Sequence, residues 1–507
     1  MKKLNIQHIL YAKGVYLCML TVYALLREVL AIQGIVGNAS VTYGFFVIGV
    51  VLAATLFFFE RESFLRRSQW LSMAFLAICV VSTFINRSFD FVSNVKAIAW
   101  MTLYFTLLMP YSRSIETESR IHKWVILTTI ITTAVLACAC LLMYFFDIDY
   151  TYVKDGGFAN NQGFSHQYMR LWGVYNDANT AAVYSLVAMC FTVYLFIRTN
   201  KLAIRILLGI VGVLLFQVVV LSSSRTALVA FVAAFVWIGL YVAYNHICGS
   251  VVKRIITAVL VAAIACGTAL GVYEAAKFVV PYEKLMIQSI TSPSICTAIH
   301  KTYDAFYQSS DLNITQGYLM EYDIQPSDPL LEEAEDVTSD LDSEDADDKI
   351  RIPESLDRSD EKEDMSNGRF QKWIEVLEVF LEKPILGASP RGISSAAKQI
   401  NPEGSVAKFG MAAHNSLLEV LAGTGVLGTV VAVGILVWLL VIILRKLLTC
   451  SMDYDFLVYS TVLLVMVCEM MFISDVFFTL TFGGVAFWTA AGHIFAEIRI
   501  TDGRSKQ

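Results

Sequence analysis

The sequence of residues 124–146 is WVILTTIITTAVLACACLLMYFF, an apolar segment without a charged residue. A helix needs about 20 such residues to cross the hydrocarbon core of a bilayer, so this segment predicts a membrane-spanning helix. Similar segments recur along the chain: 56% of its 507 residues are hydrophobic, 16% are charged, and the mean hydropathy is +0.60. Because soluble domains carry roughly 25% charged residues, the composition predicts an all-α polytopic membrane protein.

Apolar segments of this kind predict about twelve membrane-spanning helices. The first nine occupy residues 1–280, a long outer segment covers residues 281–415, and the last three helices with a short tail occupy residues 416–507. The predicted spans are residues 10–26, 42–59, 70–85, 95–111, 124–146, 178–197, 204–221, 226–244, 255–280, 416–444, 456–473 and 477–495.

Basic residues predict the orientation of these helices, because Lys and Arg near helix ends remain in the cytoplasm. With the N-terminus inside, eighteen basic residues at helix ends and in short loops lie on the cytoplasmic side. The short outer loops then hold five, namely Arg27, Arg87, Lys154, Arg170 and Arg225. We therefore expect both termini in the cytoplasm and the segment 281–415 outside.

The middle of the outer segment is strongly acidic. Residues 321–364 hold 19 Asp and Glu against 4 Lys and Arg, whereas the net charge of the whole chain is −6. Carboxylates at this density repel one another and bury little, so we expect a flexible, solvated insert rather than a calcium site. The remaining positive charge is spread over short loops, which excludes a nucleic-acid binder. The His residues are scattered, and their spacing predicts no metal site.

A different pattern follows the acidic insert. Apolar residues recur at the spacing of one helix face, which predicts an amphipathic helix over residues 367–383 that ends at Pro384. On this pattern alone, the helix packs on the membrane domain or lies at the interface. The apolar residues are Phe370, Trp373, Ile374, Leu377, Phe380 and Leu381.

Five short motifs follow one another on the predicted outer side. In chain order they are RLWGVYNDAN (170–179), SSSRT (222–226), SNGRFQKW (366–373), PILG (384–387) and HNSLLEVLAGTGVLG (414–428). Together, in this order, they resemble the O-antigen ligase and polymerase superfamily. The resemblance extends over residues 170–428.

The resemblance implies transfer of a glycan from an undecaprenyl-diphosphate carrier to an acceptor hydroxyl, without metal or cofactor, on the outer face of a bacterial inner membrane. It leaves open whether the acceptor is a glycan, a lipid or the cell wall, and whether the protein is a ligase or a polymerase. The alternatives are a flippase or transporter of lipid-linked glycans and a non-catalytic assembly partner. Transport is disfavoured because the cations gather at the outer ends of the spans and not at the midplane.

Four arginines are candidates for binding the diphosphate of such a donor. The guanidinium group offers a planar fork for phosphate oxygens, and it stabilises the charge that grows on a diphosphate leaving group. Arg170 and Arg225 are the first candidates, and Arg391 and Arg369 are further cations.

His414 is the candidate general base for the acceptor hydroxyl, because a neutral imidazole titrates near the working pH. Asn415 and Glu419 are possible supporting residues, since Asn415 follows the base and Glu419 lies one helical turn later. The sequence leaves open whether Glu419 orients His414 or stays protonated among the helices.

Overall fold

A computed structural model describes residues 2–61, 67–110, 114–154, 158–246, 251–308, 314–316, 356, 368–410, 413–448 and 452–504. Apart from Leu356, the acidic insert 321–364 lies outside the described residues, so its flexibility stays a prediction.

The described part of the chain forms seventeen α-helices, twelve of which coincide with the predicted spans. These twelve are α1 (Lys2–Leu26), α3 (Ala39–Phe59), α4 (Arg67–Ile85), α5 (Phe91–Leu103), α6 (Ile115–Phe145), α7 (Ala178–Arg198), α8 (Leu202–Leu221), α9 (Arg225–His246), α10 (Val251–Ile290), α15 (Ser416–Leu448), α16 (Tyr454–Met470) and α17 (Phe482–Arg504). The others are α2 (Gln33–Val36), α11 (Pro293–Gln308), α12 (Arg369–Glu382), α13 (Ile393–Ile400) and α14 (Ser405–Phe409).

The all-α polytopic fold is confirmed, but the number of twelve spans is not. Within the described residues, nine helices are long and apolar enough to cross a membrane, the fourth of them in sequence being α6. The apolar parts of α4 and α17, Gln69–Ile85 and Phe482–Ala496, are shorter. Large side chains such as Trp488 and Tyr184 are fully buried between the helices.

Helix α10 is longer than the predicted span 255–280, because it continues to Ile290. Its 40 residues measure about 60 Å, twice the hydrocarbon thickness of roughly 30 Å. The extension docks on the end of α6: Gln288 Nε2 donates to the Phe145 carbonyl (2.9 Å) and to Asp147 Oδ2 (2.7 Å), and Lys284 pairs with Asp147.

A small antiparallel sheet, which was not predicted from the sequence, is formed by three strands between α6 and α7 and a fourth strand after α11. Its strands are β1 (Asp149–Lys154), β2 (Phe158–Ser165), β3 (Arg170–Gly173) and β4 (Ile314–Gln316), in the order β3-β2-β1-β4. Residues 149–154, DYTYVK, contain the aromatic and β-branched residues that favour strands, so a signal was present. The sheet positions Arg170 at the start of its last strand before α7.

Helix α15 is broken at Gly425, whose φ of 65° and ψ of −166° are not helical. The part after the break, residues 426–448, is about 34 Å long at 1.5 Å per residue, which is enough to cross the hydrocarbon core. The part before the break, residues 416–424, is therefore not needed for crossing. We call residues 416–424 the outer half-helix, after the predicted outer segment that precedes them.

The PILG turn (residues 384–387) is inserted into this break. The N–H groups of Val426 and Leu427 donate to the carbonyls of Pro384 (2.8 Å) and Ile385 (3.3 Å). Unpaired backbone groups in a bilayer cost several kcal/mol each, so these bonds explain how the break is tolerated. The PILG motif therefore contacts the glycine-containing part of the last motif directly.

Polar side chains of α4 complete the hydrogen bonding of the turn. Ser82 Oγ donates to the carbonyls of Leu386 (2.6 Å) and Gly423 (3.2 Å), and Asn86 Nδ2 donates to the Gly387 carbonyl (3.0 Å). Both polar side chains are buried. The break is consequently filled by protein and not by an open channel.

The helices α12, α13 and α14 share a small core of their own that packs on the outer half-helix. Helix α12 occupies the segment for which the amphipathic helix is predicted. The buried residues of this core are Phe89, Val376, Val379, Ala388, Ala396, Ala397, Val406, Ala407, Ala413 and Ala422.

Glu375 holds this small core together through the start of α14. Its carboxylate accepts hydrogen bonds from the Val406 N–H (2.8 Å) and from Ser405 Oγ (3.2 Å). Burial alone raises the pKa of Glu375, but these hydrogen bonds outweigh it and hold the pKa below the ordinary value of 4.5. The carboxylate therefore stabilises the folded state above the unfolded pKa, and this contribution is lost as the pH falls through the folded value.

We expect Glu375→Gln to destabilise α12–α14 by about 1–2 kcal/mol at pH 7, because a charged acceptor is lost. The difference between the variant and the unaltered protein should shrink as the pH falls below 4.5 and through the lower pKa of the folded state. Hydrogen exchange of the α14 amides, at pH 7 and at the lower pH, measures this destabilisation. Glu382→Gln, which changes an exposed residue on the same helix α12 as Glu375, is the control. Equal protection in all three proteins at pH 7 would contradict this role.

Candidate functional site

His414 lies two residues before the start of α15, and hydrogen bonds fix the backbone on both sides of it. Its φ of 50° is in the left-handed region. The residue before it, Ala413, accepts a hydrogen bond from Trp373 Nε1 (2.9 Å) and donates its N–H to Glu419 Oε1 (3.2 Å). Glu419 thus fixes the backbone next to His414, an arrangement that differs from direct orientation of the imidazole.

Asn415 holds the other side of His414. Its Oδ1 accepts the N–H groups of Leu417 and Leu418 (3.0 Å each), which caps the start of α15. Its Nδ2 donates to the Met471 carbonyl (3.1 Å), in the loop between α16 and α17. Ala413 and Asn415 therefore connect the backbone around His414 to α12, to α15 and to the loop after α16.

Nearby cations act on the His414 imidazole. Burial, followed by the charges of Lys372 and Arg369, lowers the pKa of His414 to about 4, while Asp177 acts in the opposite direction. The imidazole is therefore neutral at pH 7 and can accept a proton. Lys372 and Arg369 lie on the first turn of α12, and the Arg369 guanidinium lies 5.8 Å from the Phe472 ring centre.

Arg170 joins two of the predicted motifs. Its Nε donates to the Ser222 carbonyl (2.9 Å), its Nη2 donates to Asn179 Oδ1 (3.2 Å), and its guanidinium lies 5.2 Å from the Trp172 ring centre. The side chain is only 7% exposed. Much of the guanidinium fork is thus used within the protein, so the described contacts of Arg170 are those of a positioning residue, and its binding of diphosphate stays a prediction.

Arg225 begins α9, where the serine turn (residues 222–224) ends. Ser224 Oγ accepts the Ala227 N–H (3.2 Å) and donates to Asn179 Oδ1 (2.8 Å). Ser223 has a φ of 47°, and all three serines are buried. The turn therefore fixes a half-buried Arg225 at a helix N-terminus, a position that favours anions.

Arg391 lies near the outer half-helix, whose Glu419 its charge affects. Its side chain is exposed, its backbone N–H donates to Asn94 Oδ1 (2.7 Å), and its charge acts on Glu419. These contacts connect Arg391 to α5 and α15, and its role toward a diphosphate stays a prediction.

Asp177 connects the arginine motifs with His414. Asn179 Nδ2 donates to Asp177 Oδ1 (3.2 Å), and the Thr180 N–H donates to Asp177 Oδ2 (3.3 Å), so that Asp177 caps α7. The charge of Asp177 also acts on His414. The serine turn, Arg170 and His414 therefore converge around Asp177 and Asn179.

A family comparison covers part of this site. Residues 210–433 match a family model described as O-antigen ligase. We call residues 210–433, which are similar to this family, the O-antigen ligase region. The resemblance predicted from the motifs is confirmed, and no curated protein matches the chain.

The O-antigen ligase region includes Arg225, Arg391 and His414, whereas Arg170 and Asp177 precede it. The part that precedes it packs against the ligase region, since Arg170 and Asn179 bind the serine turn. Across the residues that the structure describes, no group of three or more His, Cys, Asp or Glu could hold a metal ion.

Two neighbours of His414 were not predicted from the sequence as site residues. Asp177 lies inside the quoted RLWGVYNDAN motif, and Lys372 lies inside SNGRFQKW, so each had a local signal. Lys372 itself is affected by the site, because burial and the charge of Arg369 lower its pKa. Both residues are charged groups beside the candidate base of the O-antigen ligase region.

Proposed function

We propose that the protein transfers a glycan from an undecaprenyl-diphosphate carrier to an acceptor hydroxyl on the outer face of a bacterial inner membrane. The O-antigen ligase region supports glycan transfer in general. The observation that carries the proposal is the convergence of the serine turn, Arg170 and His414 around Asp177 and Asn179. Through Asp177 and Asn179, it links the candidate base to the serine turn that precedes Arg225 at the start of α9.

In the proposed reaction, the acceptor oxygen attacks the anomeric carbon of the donor. The bond from that carbon to the diphosphate oxygen breaks, and its electron pair stays with the diphosphate. The acceptor proton moves to the His414 imidazole. Arg225, with Arg369 and Lys372 on the side of the base, stabilises the charge that grows on the leaving group.

Donor binding also strengthens the base in this proposal. Lys372 and Arg369 contribute to the low pKa of His414, because two nearby positive charges oppose its protonation. A bound diphosphate offsets these charges, so the pKa of His414 rises toward neutrality when the donor is in place. His414 then accepts a proton most readily in the productive complex.

Transport of lipid-linked glycans is the second candidate function, because broken helices occur in transporters. The break in α15 gives transport little support. Its backbone groups are bonded to the PILG turn and to Ser82 and Asn86, whereas a transporter break lines a substrate cavity.

Incubation of the purified protein in nanodiscs with a carrier-linked glycan and an acceptor tests the proposal directly. We expect loss of the donor, a new glycosidic linkage, and release of the carrier diphosphate. Donor that stays intact, but exchanges between the two leaflets of a vesicle, would favour transport. Products that contain several donor units would identify a polymerase, and a single addition to a lipid or wall fragment would identify a ligase.

Arg225→Lys is expected to reduce transfer by about 10–100-fold, because Lys keeps the charge and loses the two-pronged contact with phosphate oxygens. Arg225→Ala should be lower still and should bind the donor more weakly. Single-turnover transfer and donor binding are measured at matched expression. Arg198→Lys, at the opposite end of α7, is the matched control. Normal donor binding and transfer in Arg225→Ala would remove the phosphate contact from the proposal.

The proposed orientation places both termini in the cytoplasm and the acidic insert outside, because of the distribution of basic residues. A Cys placed at Ser343 in a Cys-free variant should react with an impermeant reagent in whole cells. A Cys at Thr199, between α7 and α8, should react only after the membrane is opened. The reverse result would remove the outer-face site together with the topology.

A further inference from the structure

Four carboxyl groups gather beside the proposed site, and we call them the acidic chamber: Glu28, Asp177, Glu469 and Asp475. They come from the end of α1, the start of α7, the end of α16 and the loop before α17. A Cβ on Gly483 would lie 3.1 Å from Glu469 Oε2 and 3.3 Å from Asp475 Cβ, so these two side chains adjoin. Each member interacts electrostatically with others of the group.

Within the described part of the chain, the buried carboxyl group of Glu469 lacks the hydrogen bonds that such a group requires. Its side chain is fully buried, and neither of its carboxyl oxygens has a hydrogen-bond partner among the residues that the structure describes. A buried polar group without a partner is costly. The charges that act on Glu469 are those of Asp475, Asp177 and Glu28, so its surroundings add negative charge.

The protein compensates this negative charge incompletely. Arg27 opposes Glu28, but its Nη1 also donates to the Leu480 carbonyl (3.0 Å). Tyr184 donates its hydroxyl to Asp475 Oδ2 (3.1 Å). Burial, followed by neighbouring carboxylates, raises the pKa of Glu28 to about 8, and burial together with Asp177 raises that of Asp475 to about 7.

Three members of the chamber are within reach of a ligand. Glu28, Asp177 and Asp475 are partly exposed, and the charge of Asp177 acts on His414. Across the described residues, these carboxyl groups are not spaced as ligands of a single metal ion. Several carboxyl groups from different segments suit a ligand that carries positive charge and several hydrogen-bond donors.

We propose that the acidic chamber is the acceptor subsite and that it binds a sugar with a free amino group. This inference rests on the proposed function, since it takes the ligand to be the acceptor of the transfer. An ammonium group donates three hydrogen bonds and neutralises a carboxylate, and the sugar hydroxyls donate to the remaining oxygens.

The chamber also sorts donor from acceptor by charge. A diphosphate would add negative charge where ionised carboxyl groups are already disfavoured, which keeps the carrier on the side of Arg225, Arg369 and Lys372. For the same reason it disfavours an acidic sugar. Only a neutral or cationic sugar can then place a hydroxyl next to His414, and the cationic one binds best.

Binding of three methyl glycosides to the full-length protein in nanodiscs, without donor, tests the inference. The probes are methyl α-glucosaminide, methyl α-glucoside and methyl α-glucuronide, and saturation-transfer NMR measures their binding. We expect the amino glycoside to bind at least tenfold more tightly than the neutral one, and the glucuronide to bind least. Asp475→Asn and, independently, Glu28→Gln should remove most of this preference while the neutral glycoside changes little.

Glu274→Gln is the control, because Glu274 is an exposed residue of α10 that pairs with Lys277. Equal binding of the amino and neutral glycosides would overturn the inference, and so would an unchanged preference in whichever carboxyl variant remains folded. Failure of the proposed function has a different signature, because the donor would then remain unconsumed while the amino glycoside still bound.

Discussion

His414→Ala is expected to reduce single-turnover transfer by about 10²–10⁴-fold, the usual contribution of a general base. Donor binding should change little, because the base acts on the acceptor proton and the carrier is held by cations. Among the predicted site residues, this change should separate binding from chemistry most completely. His300→Ala, a change of the same residue type on α11, is the matched control and should leave transfer unaltered.

The measurement needs both quantities for each variant: donor affinity from equilibrium binding and the rate of one turnover with saturating acceptor. Because the pKa of His414 is about 4 in the free protein, kcat/KM should fall only as the pH drops toward that value, when the imidazole becomes protonated. In His414→Ala, this decrease of kcat/KM at low pH should disappear. Near-normal turnover by His414→Ala would end the general-base assignment.

Gly425→Ala is expected to prevent accumulation of folded protein. The φ and ψ of Gly425 lie in a region that is almost restricted to glycine. A Cβ there would lie 2.3 Å from both the carbonyl carbon and oxygen of Ile385, which are backbone atoms and cannot rotate away. The backbone strain and the clash together should cost more than about 3 kcal/mol.

The matched control is Gly434→Ala in the same helix, since nothing lies within 4 Å of a Cβ at Gly434. Its backbone is helical, so the added methyl group should be neutral or stabilise by up to about 1 kcal/mol. Yield and thermal unfolding of both variants in one detergent provide the comparison. If both variants unfold at the same temperature, the PILG turn does not require the break in α15.

The membrane helices were predictable from the sequence because a bilayer imposes one requirement, an apolar stretch that satisfies its own backbone hydrogen bonds. Residues 124–146 show this clearly. The break at Gly425 was not predictable, since glycine is common in membrane helices and a single apolar stretch runs across the break. Its cause is the PILG turn, about 40 residues earlier in the sequence.

The site was predictable only as a set of motifs. Their order predicted that Arg170, Arg225 and His414 belong to one site. In the structure, Asp177 and Asn179 link Arg170 and the serine turn before Arg225 to His414. The sequence could not reveal that the Arg170 fork is largely occupied by protein, because its partner Ser222 is 52 residues away. The acidic chamber was equally hidden, since its four carboxyl groups come from four distant segments.

Because α15 is built in two parts, the position of the candidate base His414 is independent of the thickness of the surrounding lipid. Membrane helices tilt to match their apolar length to the bilayer, and a continuous helix would transmit that tilt to its end. In this protein the outer half-helix is bonded to the PILG turn and capped by Asn415, which binds the loop after α16. Glycan transfer should therefore depend little on whether the lipids of the reconstituted membrane have short or long acyl chains.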